Sequence, residues 1–553
     1  MPLQAQNVTL TTFTEPSAAP AKLSDPALNA VPDGDRLAPP ASQAPAKSDE
    51  YFDNSHCNRD LAGRSIRGGL VTMCSQAIKL VLKLTTTAIL ARLLTPEDFG
   101  IVAMVTVITG FAELFKDAGL STATVQRQNI TQGQVSALFW INVVISCLIA
   151  ALTALMAPAI AWVYREPRLL AVTLVLSVTI IFGGLAVQHQ ALLRRNLRFK
   201  ELAIIEVSSM FLGLVVAVVM AYLNFHYWAL IGMTAMTAFA TAVLSTMISG
   251  WRPGLPRRNT GVRPMLRFGG GLAAFNVLSY VNRNADNMVA GMVLGSTALG
   301  LYSRAYTLML MPFYHINTPL TGIVVPTLSR LQSEPRKYAA VYLEMLALLA
   351  CVSTPIVALL FVAAEDVIAL FLGSEWKQAV PLFRYLAPAA LCGTFSVAPY
   401  WLCVTLGRSN ISLRWGLVSA PAMLATFIVG AQFGIEGLAI GFSTSWLFLL
   451  VLFIWMACTD SPIAPRQVLL TAAPPLLASV ATAALCMLLN GSGYTAVSTP
   501  IVGLAINTAM FIPVYCGLIF MMPSTRATAR KAMQFVANAF HLSTPSTTVP
   551  STI

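Results

Sequence analysis

Residues 70–91 read LVTMCSQAIKLVLKLTTTAILA. As a helix this run rises about 33 Å, enough to cross the ~30 Å hydrocarbon core of a bilayer. Ser75, Lys79, Lys83 and Thr86 interrupt it at spacings of four, four and three residues. That spacing places all four on one helical face. A lysine at the bilayer centre costs about 2.5–3.5 kcal/mol on insertion scales. Two of them on one face therefore point to a hydrated space or a partner rather than to acyl chains. The alternative, that a lysine snorkels to the interface, suits a helix end better than the middle position of Lys79.

Runs of the same kind recur near 99–118, 135–157, 169–190, 201–223, 227–249, 270–294, 299–326, 338–363, 379–403, 411–430, 435–458, 467–489 and 497–522. The expected fold is an all-α polytopic membrane protein of about fourteen transmembrane helices. Composition agrees: of 553 residues 56% are hydrophobic and only 10% charged, where a soluble domain carries about 25% charged residues. Residues 1–60 hold no apolar core of the length a secretory signal needs and read as a disordered tail. Beyond about Pro523 a second tail begins, in which 527–542 is read either as a short surface helix or as disordered chain.

The net charge of +12 does not mark a nucleic-acid binder, because the basic residues sit in short clusters between apolar runs. Even-numbered connections hold seventeen Lys and Arg residues; the odd-numbered ones hold Arg92, Arg165, Arg168 and Lys377. The positive-inside rule puts both tails in the cytoplasm, which requires an even number of crossings. The nine cysteines form no CxxC pair, and eight of them, Cys74 through Cys516, lie in or beside apolar runs. They read as small packing residues, and no cofactor or metal is expected. His189, His226 and His315 show no ligand pattern and read as structural. No catalytic triad or phosphate loop is present.

The chain also repeats itself. Arg67-Gly-Gly-Leu70 and Gly269-Gly-Gly-Leu272 open the first and seventh helices, and Phe99-Gly100 and Leu299-Gly300 open the second and eighth. Arg127 and Arg330 follow those helices, and Ala229-Leu-Ile-Gly232 matches Leu438-Ala-Ile-Gly441. The offset stays between 200 and 209. Six helices between repeats gives two halves of one orientation, related by a pseudo-two-fold axis along the membrane normal, with a site at their interface. The expected divisions are a tail over 1–60, a first lobe over 61–258, a second over 259–465, two further helices over 466–522 and a tail over 523–553. Thr95-Pro96-Glu97-Asp98 reads as the cap of the second helix. Gly291-x-x-x-Gly295 reads as a close-packing motif.

At the repeat offset, Ser75 falls on Asn276, Lys79 on Tyr280 and Thr86 on Asn287. The seventh helix thus carries its own polar stripe of Asn276, Tyr280, Arg283 and Asn287, with Asp286 beside it. Helices one and seven are expected to face each other across a hydrated cavity. Arg283 and Asp286, at i and i+3, could orient or simply neutralise each other. Arg304 in the eighth helix adds a further charge. Glu113, Glu206 and Glu344 are candidates for proton or sodium coupling, or for helix packing. Lys79, Lys83, Arg283 and Arg304 outweigh Asp286, so the lining suits an anion. A diphosphate fits, with Arg bonding its oxygens bidentately and Lys supplying point charge. Asn, Tyr and Thr groups would meet attached sugars, and a polyprenyl tail would stay in lipid between the halves.

Ala91–Gly100 (ARLLTPEDFG), Asp117–Arg127 (DAGLSTATVQR), Arg194–Glu206 (RRNLRFKELAIIE), Asn282–Asp286 (NRNAD), Leu299–Tyr306 (LGLYSRAY) and Val325–Leu331 (VPTLSRL) resemble the polysaccharide transport family of bacterial oligosaccharide flippases. These Wzx-type exporters share a superfamily with lipid II flippases and MATE transporters. The resemblance spans roughly residues 60–460. It implies two six-helix lobes in a V, two extra C-terminal helices, a cationic central cavity and alternating access. It also implies a substrate built on undecaprenyl diphosphate in the bacterial inner membrane. It places Arg283 and Asp286 in its seventh-helix motif and Arg304 in its eighth, while Lys79 and Lys83 rest on the stripe alone. The partners expected are the lipid-linked oligosaccharide, membrane lipid, and a polymerase and export machinery, with the chain itself a monomer. Two alternatives remain. A MATE-like cation antiporter would need dominant buried acids. A polytopic sugar polymerase or ligase would need a sizeable outward loop, and the longest here, Glu365–Gln378, is short.

Overall fold

The computed structural model describes residues 61–117, 120–126, 130–255, 263–491, 499–522 and 526. Both tails, apart from residue 526, fall outside these. Thirteen helices among the described residues are long and apolar enough to cross a membrane. One of them, Arg283–Arg330, is 48 residues long and belongs to a longer helical stretch, Arg263–Arg330, interrupted at Gly295. Gly295 has φ 85° and ψ −176°, a conformation open to glycine and hostile to a side chain. The hydroxyl of Tyr302 donates to Asp286 Oδ2 at 3.1 Å. In an unbroken helix those residues would stand about 24 Å apart. The chain therefore reverses at Gly295, and the stretch is two crossings, α7 (263–294) and α8 (296–330).

Counted so, the crossings number fourteen, as expected. They are α1 (Leu61–Leu93), α2 (Pro96–Asp117), α3 (Gln132–Leu155), α4 (Arg168–Arg195), α5 (Phe199–Tyr222), α6 (Trp228–Ser249), α7, α8, α9 (Pro335–Val362), α10 (Ala379–Thr405, from two abutting helices), α11 (Ser409–Ala431), α12 (Gly434–Cys458), α13 (Pro465–Gly491) and α14 (Pro500–Met521). Their outer faces carry Leu, Val, Phe and Trp side chains open to lipid, and the protein is a multi-pass membrane protein.

Caps set several helix starts. The Asp98 carboxylate accepts from Thr95 N (2.9 Å) and Thr95 Oγ1 (2.8 Å), and Thr95 Oγ1 accepts from Asp98 N (3.3 Å). This reciprocal box opens α2 at the point its sequence marks. Thr131 and Gln134 build the same box on α3.

Packing repeats between the halves. In the first, α5 packs on α6, α4 on α6, α3 on α4, α1 on α5 and α2 on α4. In the second, α11 packs on α12, α10 on α12 and α9 on α10, and the α7–α8 hairpin covers α9, α10 and α11. The extra helices attach to the second half: α13 lies on α9, and α14 lies on α13 and the short helix Ala364–Phe371. Asn490 Nδ2 donates to Asn507 Oδ1, and Asn507 Nδ2 to Asp366 Oδ2, each at 3.0 Å.

One contact shows the two-fold relation atom by atom. A Cβ added to Gly100 would lie 1.7 Å from the Ser296 carbonyl oxygen, and one added to Gly300 would lie 1.8 Å from that of Pro96. Adding 200 to Gly100 and Pro96 gives Gly300 and Ser296. The contact is thus one contact made twice, each half offering a glycine to the other's loop carbonyl, as in an isologous interface.

Candidate functional site

The glycine contact belongs to a seal at one end of the molecule. The α1–α2, α7–α8 and α9–α10 connections meet there. Trp376, fully buried, donates from Nε1 to the Ala91 carbonyl at the end of α1 at 2.8 Å. An indole N–H buried without an acceptor would be costly, and this one closes the last turn of α1. Arg92 donates to the Leu370 carbonyl at 2.8 Å. The Trp376 ring meets Phe99 edge-on, with centroids 5.4 Å apart at 72°. All three connections are odd-numbered, the set poor in Lys and Arg.

Inward of the seal the halves meet along two seams. The first is α2 against α7 and is closely packed. Tyr280 donates to the Val107 carbonyl (2.9 Å) and the Thr106 carbonyl (3.3 Å) of α2. Its hydroxyl occupies the space a Cβ on Gly110 would need, and its ring lies 6.2 Å from Phe111. The second seam is α1 against α8, the two-fold equivalent of the first, and α1 makes no comparable contact with the hairpin. Tyr280 and Gly291 dock α7 on α2, and the expected facing of α1 and α7 is a relation across a cavity rather than a packing contact.

The polar residues distribute accordingly. Lys79 turns within its own half and pairs with Glu206 of α5 at 2.5 Å. Ser75 and Thr86 donate to backbone carbonyls of α1. Lys83, one turn beyond Lys79, is half-buried and stands close enough to Arg304 and His315 of α8 for their charges to interact. Arg304 is also half-buried. Its guanidinium carbon lies 4.9 Å from the centre of the Phe99 ring, its Nε has no acceptor, and no carboxylate pairs with it among the described residues. Lys83 and Arg304 thus bring two positive charges from opposite halves to the looser seam.

Arg283 is exposed on α7. Its expected pairing with Asp286 does not form among the described residues. Asp286 is 2% exposed, and Tyr302 and the Asn287 N–H (2.8 Å) hold its carboxylate instead. The Asn287 amide oxygen is buried without a partner. The side chain of Asn276 lies outside the described residues. Glu113 is exposed near Tyr280, whose hydroxyl feels its charge, and Glu344 is half-buried in α9. Sequence reading missed Phe99, Trp376 and Tyr302, whose roles lie in contacts between connections that period and spacing do not encode.

A family profile described as polysaccharide biosynthesis protein matches residues 89–381, more than half of the chain. The chain belongs to that family. This polysaccharide biosynthesis protein is 25% identical over 390 residues to the lipopolysaccharide biosynthesis protein WzxC of Escherichia coli K12, covering 69% of this chain and 78% of that one. It is 25% identical over 358 residues to the teichuronic acid biosynthesis protein TuaB of Bacillus subtilis, covering 62% and 71%. Among solved structures, the lipid II flippase MurJ in an inward closed conformation superposes with a TM-score of 0.64 at 12% identity, over 82% of this chain and 98% of that one. At that identity the likeness establishes the fold. The resemblance read from ARLLTPEDFG and its companion segments is borne out.

Proposed function

We propose that this protein is a flippase that carries an oligosaccharide linked to a polyprenyl diphosphate across the cytoplasmic membrane, for exopolysaccharide, capsule or O-antigen synthesis. One observation carries the reading. Lys83 and Arg304 converge from opposite halves, while Glu206 is neutralised by Lys79 and Asp286 is buried against Tyr302. Two basic side chains, one from each half, thus belong to this seam, and a diphosphate is the lipid headgroup such a pair would hold. The family and the relatives named for lipopolysaccharide and teichuronic acid biosynthesis support the substrate class. A transporter is favoured over an enzyme. A cation antiporter is disfavoured because the buried acids are already engaged.

With both termini cytoplasmic, the seal faces outward and the diphosphate reaches Lys83, Arg304 and Arg283 from the inner side. Contact with the attached sugars is assigned to the α7 stripe of Asn276, Tyr280 and Asn287, with Asp286 held behind it by Tyr302. Opening the seal while the inner side closes delivers the glycan outward. A proton or sodium ion at Glu113 or Glu344, or at Glu206 once released from Lys79, would supply the driving force. The protein acts as a monomer alongside a polymerase and export machinery. Lys83→Ala and Arg304→Ala should each abolish surface polysaccharide while leaving the protein at normal level in the membrane. Normal export from both variants would defeat the proposal.

A further inference from the structure

Arg304 does more than present charge to the seam. Its guanidinium lies over Phe99, and Phe99 is the residue before Gly100, which packs on the Ser296 carbonyl. The same Phe99 ring touches Trp376 edge-on, and Trp376 holds the end of α1 through the Ala91 carbonyl. Phe99 is almost wholly buried, so one ring carries both the cation over its face and the T-shaped contact with the seal.

We propose that Phe99 is a positioning residue that couples Arg304 to the outer seal, so that an anionic headgroup drawing Arg304 away loosens it. The inference rests on Arg304 belonging to the diphosphate site. Without ligand, the ring face is the nearest compensation the structure gives this half-buried cation. A phosphate oxygen is a stronger partner for guanidinium than a π-face, because the hydrogen bond is charge-assisted and can be bidentate. Engagement of the diphosphate therefore removes the cation that fixes the Phe99 ring, and the Phe99–Trp376 contact loses its support from below. The seal is thereby weakened only when the site is occupied, which is the differential interaction any ligand-driven shift requires. An empty carrier would stay closed to the outside.

The test uses the full-length protein with its native cysteines replaced and a reporter, Leu308→Cys, one turn inward of Arg304. Spheroplasts are treated with a membrane-impermeant maleimide. Two strains are compared, one able and one unable to make the lipid-linked oligosaccharide. With Phe99 present, labelling should be about 2- to 30-fold faster in the strain that makes the substrate, the range a cation–π contact spans. Phe99→Leu, which keeps an apolar side chain but removes the ring face, should give equal labelling in both strains. Phe99→Tyr, which keeps the face, should restore the ratio. A normal ratio in Phe99→Leu, or loss of the ratio in Phe99→Tyr as complete as in Phe99→Leu, would overturn the coupling. If the ratio is absent even with Phe99 while Arg304→Ala still blocks export, the coupling fails and the flippase reading stands. Normal export by Arg304→Ala removes both.

Discussion

Replacing Gly300 with alanine is the smallest change that should prise the outer seal open. The added Cβ would sit 1.8 Å from the Pro96 carbonyl oxygen, whereas ordinary van der Waals contact begins near 3.4 Å. The α2 and α8 starts must therefore separate by about 1.6 Å. The obstacle is backbone, so no side-chain rotation relieves it. Overpacking of this kind costs typically ~1–3 kcal/mol. Charged against the sealed state alone, that shifts the balance between sealed and outward-open forms by about 5- to 150-fold. The Leu308→Cys reporter should label correspondingly faster from outside, with or without substrate. Gly100→Ala should act alike, because the two-fold relation makes its clash with the Ser296 carbonyl equivalent. The double variant should exceed either single one by less than the product of their effects, since one separation relieves both clashes. Unchanged labelling in Gly300→Ala, at normal membrane abundance, would refute the claim that these glycines close the outer end.

Two further outcomes follow from the ion pairs. Lys79→Ala leaves Glu206 half-buried and unpaired, so it should cost ~1–2 kcal/mol more than the Lys79→Ala/Glu206→Ala double variant in detergent-solubilised unfolding, a value between exposed and buried pairs; equal costs would show that the pair is not stabilising. In the α3–α4 connection, hydrogen bonds from Arg168 (Nε to Oε1, 2.7 Å; Nη2 to Oε2, 2.8 Å) hold the Glu166 carboxyl below its ordinary 4.5. Its contribution is present above that value and is lost as pH falls through and below it. The melting-temperature gap between wild type and Glu166→Gln should therefore be small and constant from pH 7 down to about 4.5 and shrink only below it, whereas a gap that widens on acidification would contradict this.

The helices were legible because each crossing needs about twenty apolar residues and nothing else in a chain looks like that. The repeat was legible as well, and one of its matches, Phe99-Gly100 with Leu299-Gly300, marks a close backbone contact between the halves. What spacing could not tell is which neighbour a polar face meets. The α1 stripe lies on one side of its helix, yet Lys79 ends on Glu206, 127 residues away, while Lys83 interacts with charges of α8. Similarly, Arg283 and Asp286 are neighbours on a helix surface, but the hairpin brings Tyr302 to Asp286, and the tyrosine and the Asn287 N–H hold the carboxylate. Gly291-x-x-x-Gly295 read as packing throughout. Gly291 does pack, against Tyr164, Met104 and Leu299, while Gly295 turns the chain. Trp376 sat in a connection notable in sequence only for being short.

The reversal at Gly295 has a mechanical consequence. Because Asp286 and Tyr302 tie its two arms together, the α7–α8 hairpin behaves as a single lever, with its tip held by Gly300 and Ser296. Its α7 arm, residues 263–294, is about 48 Å long. A tilt of roughly 10° about the tip would swing the far end by ~8 Å, close to the spacing between packed helices. Adjustments of an ångström or two among a few backbone atoms at one face of the bilayer can thus open or shut a gap one helix wide at the other.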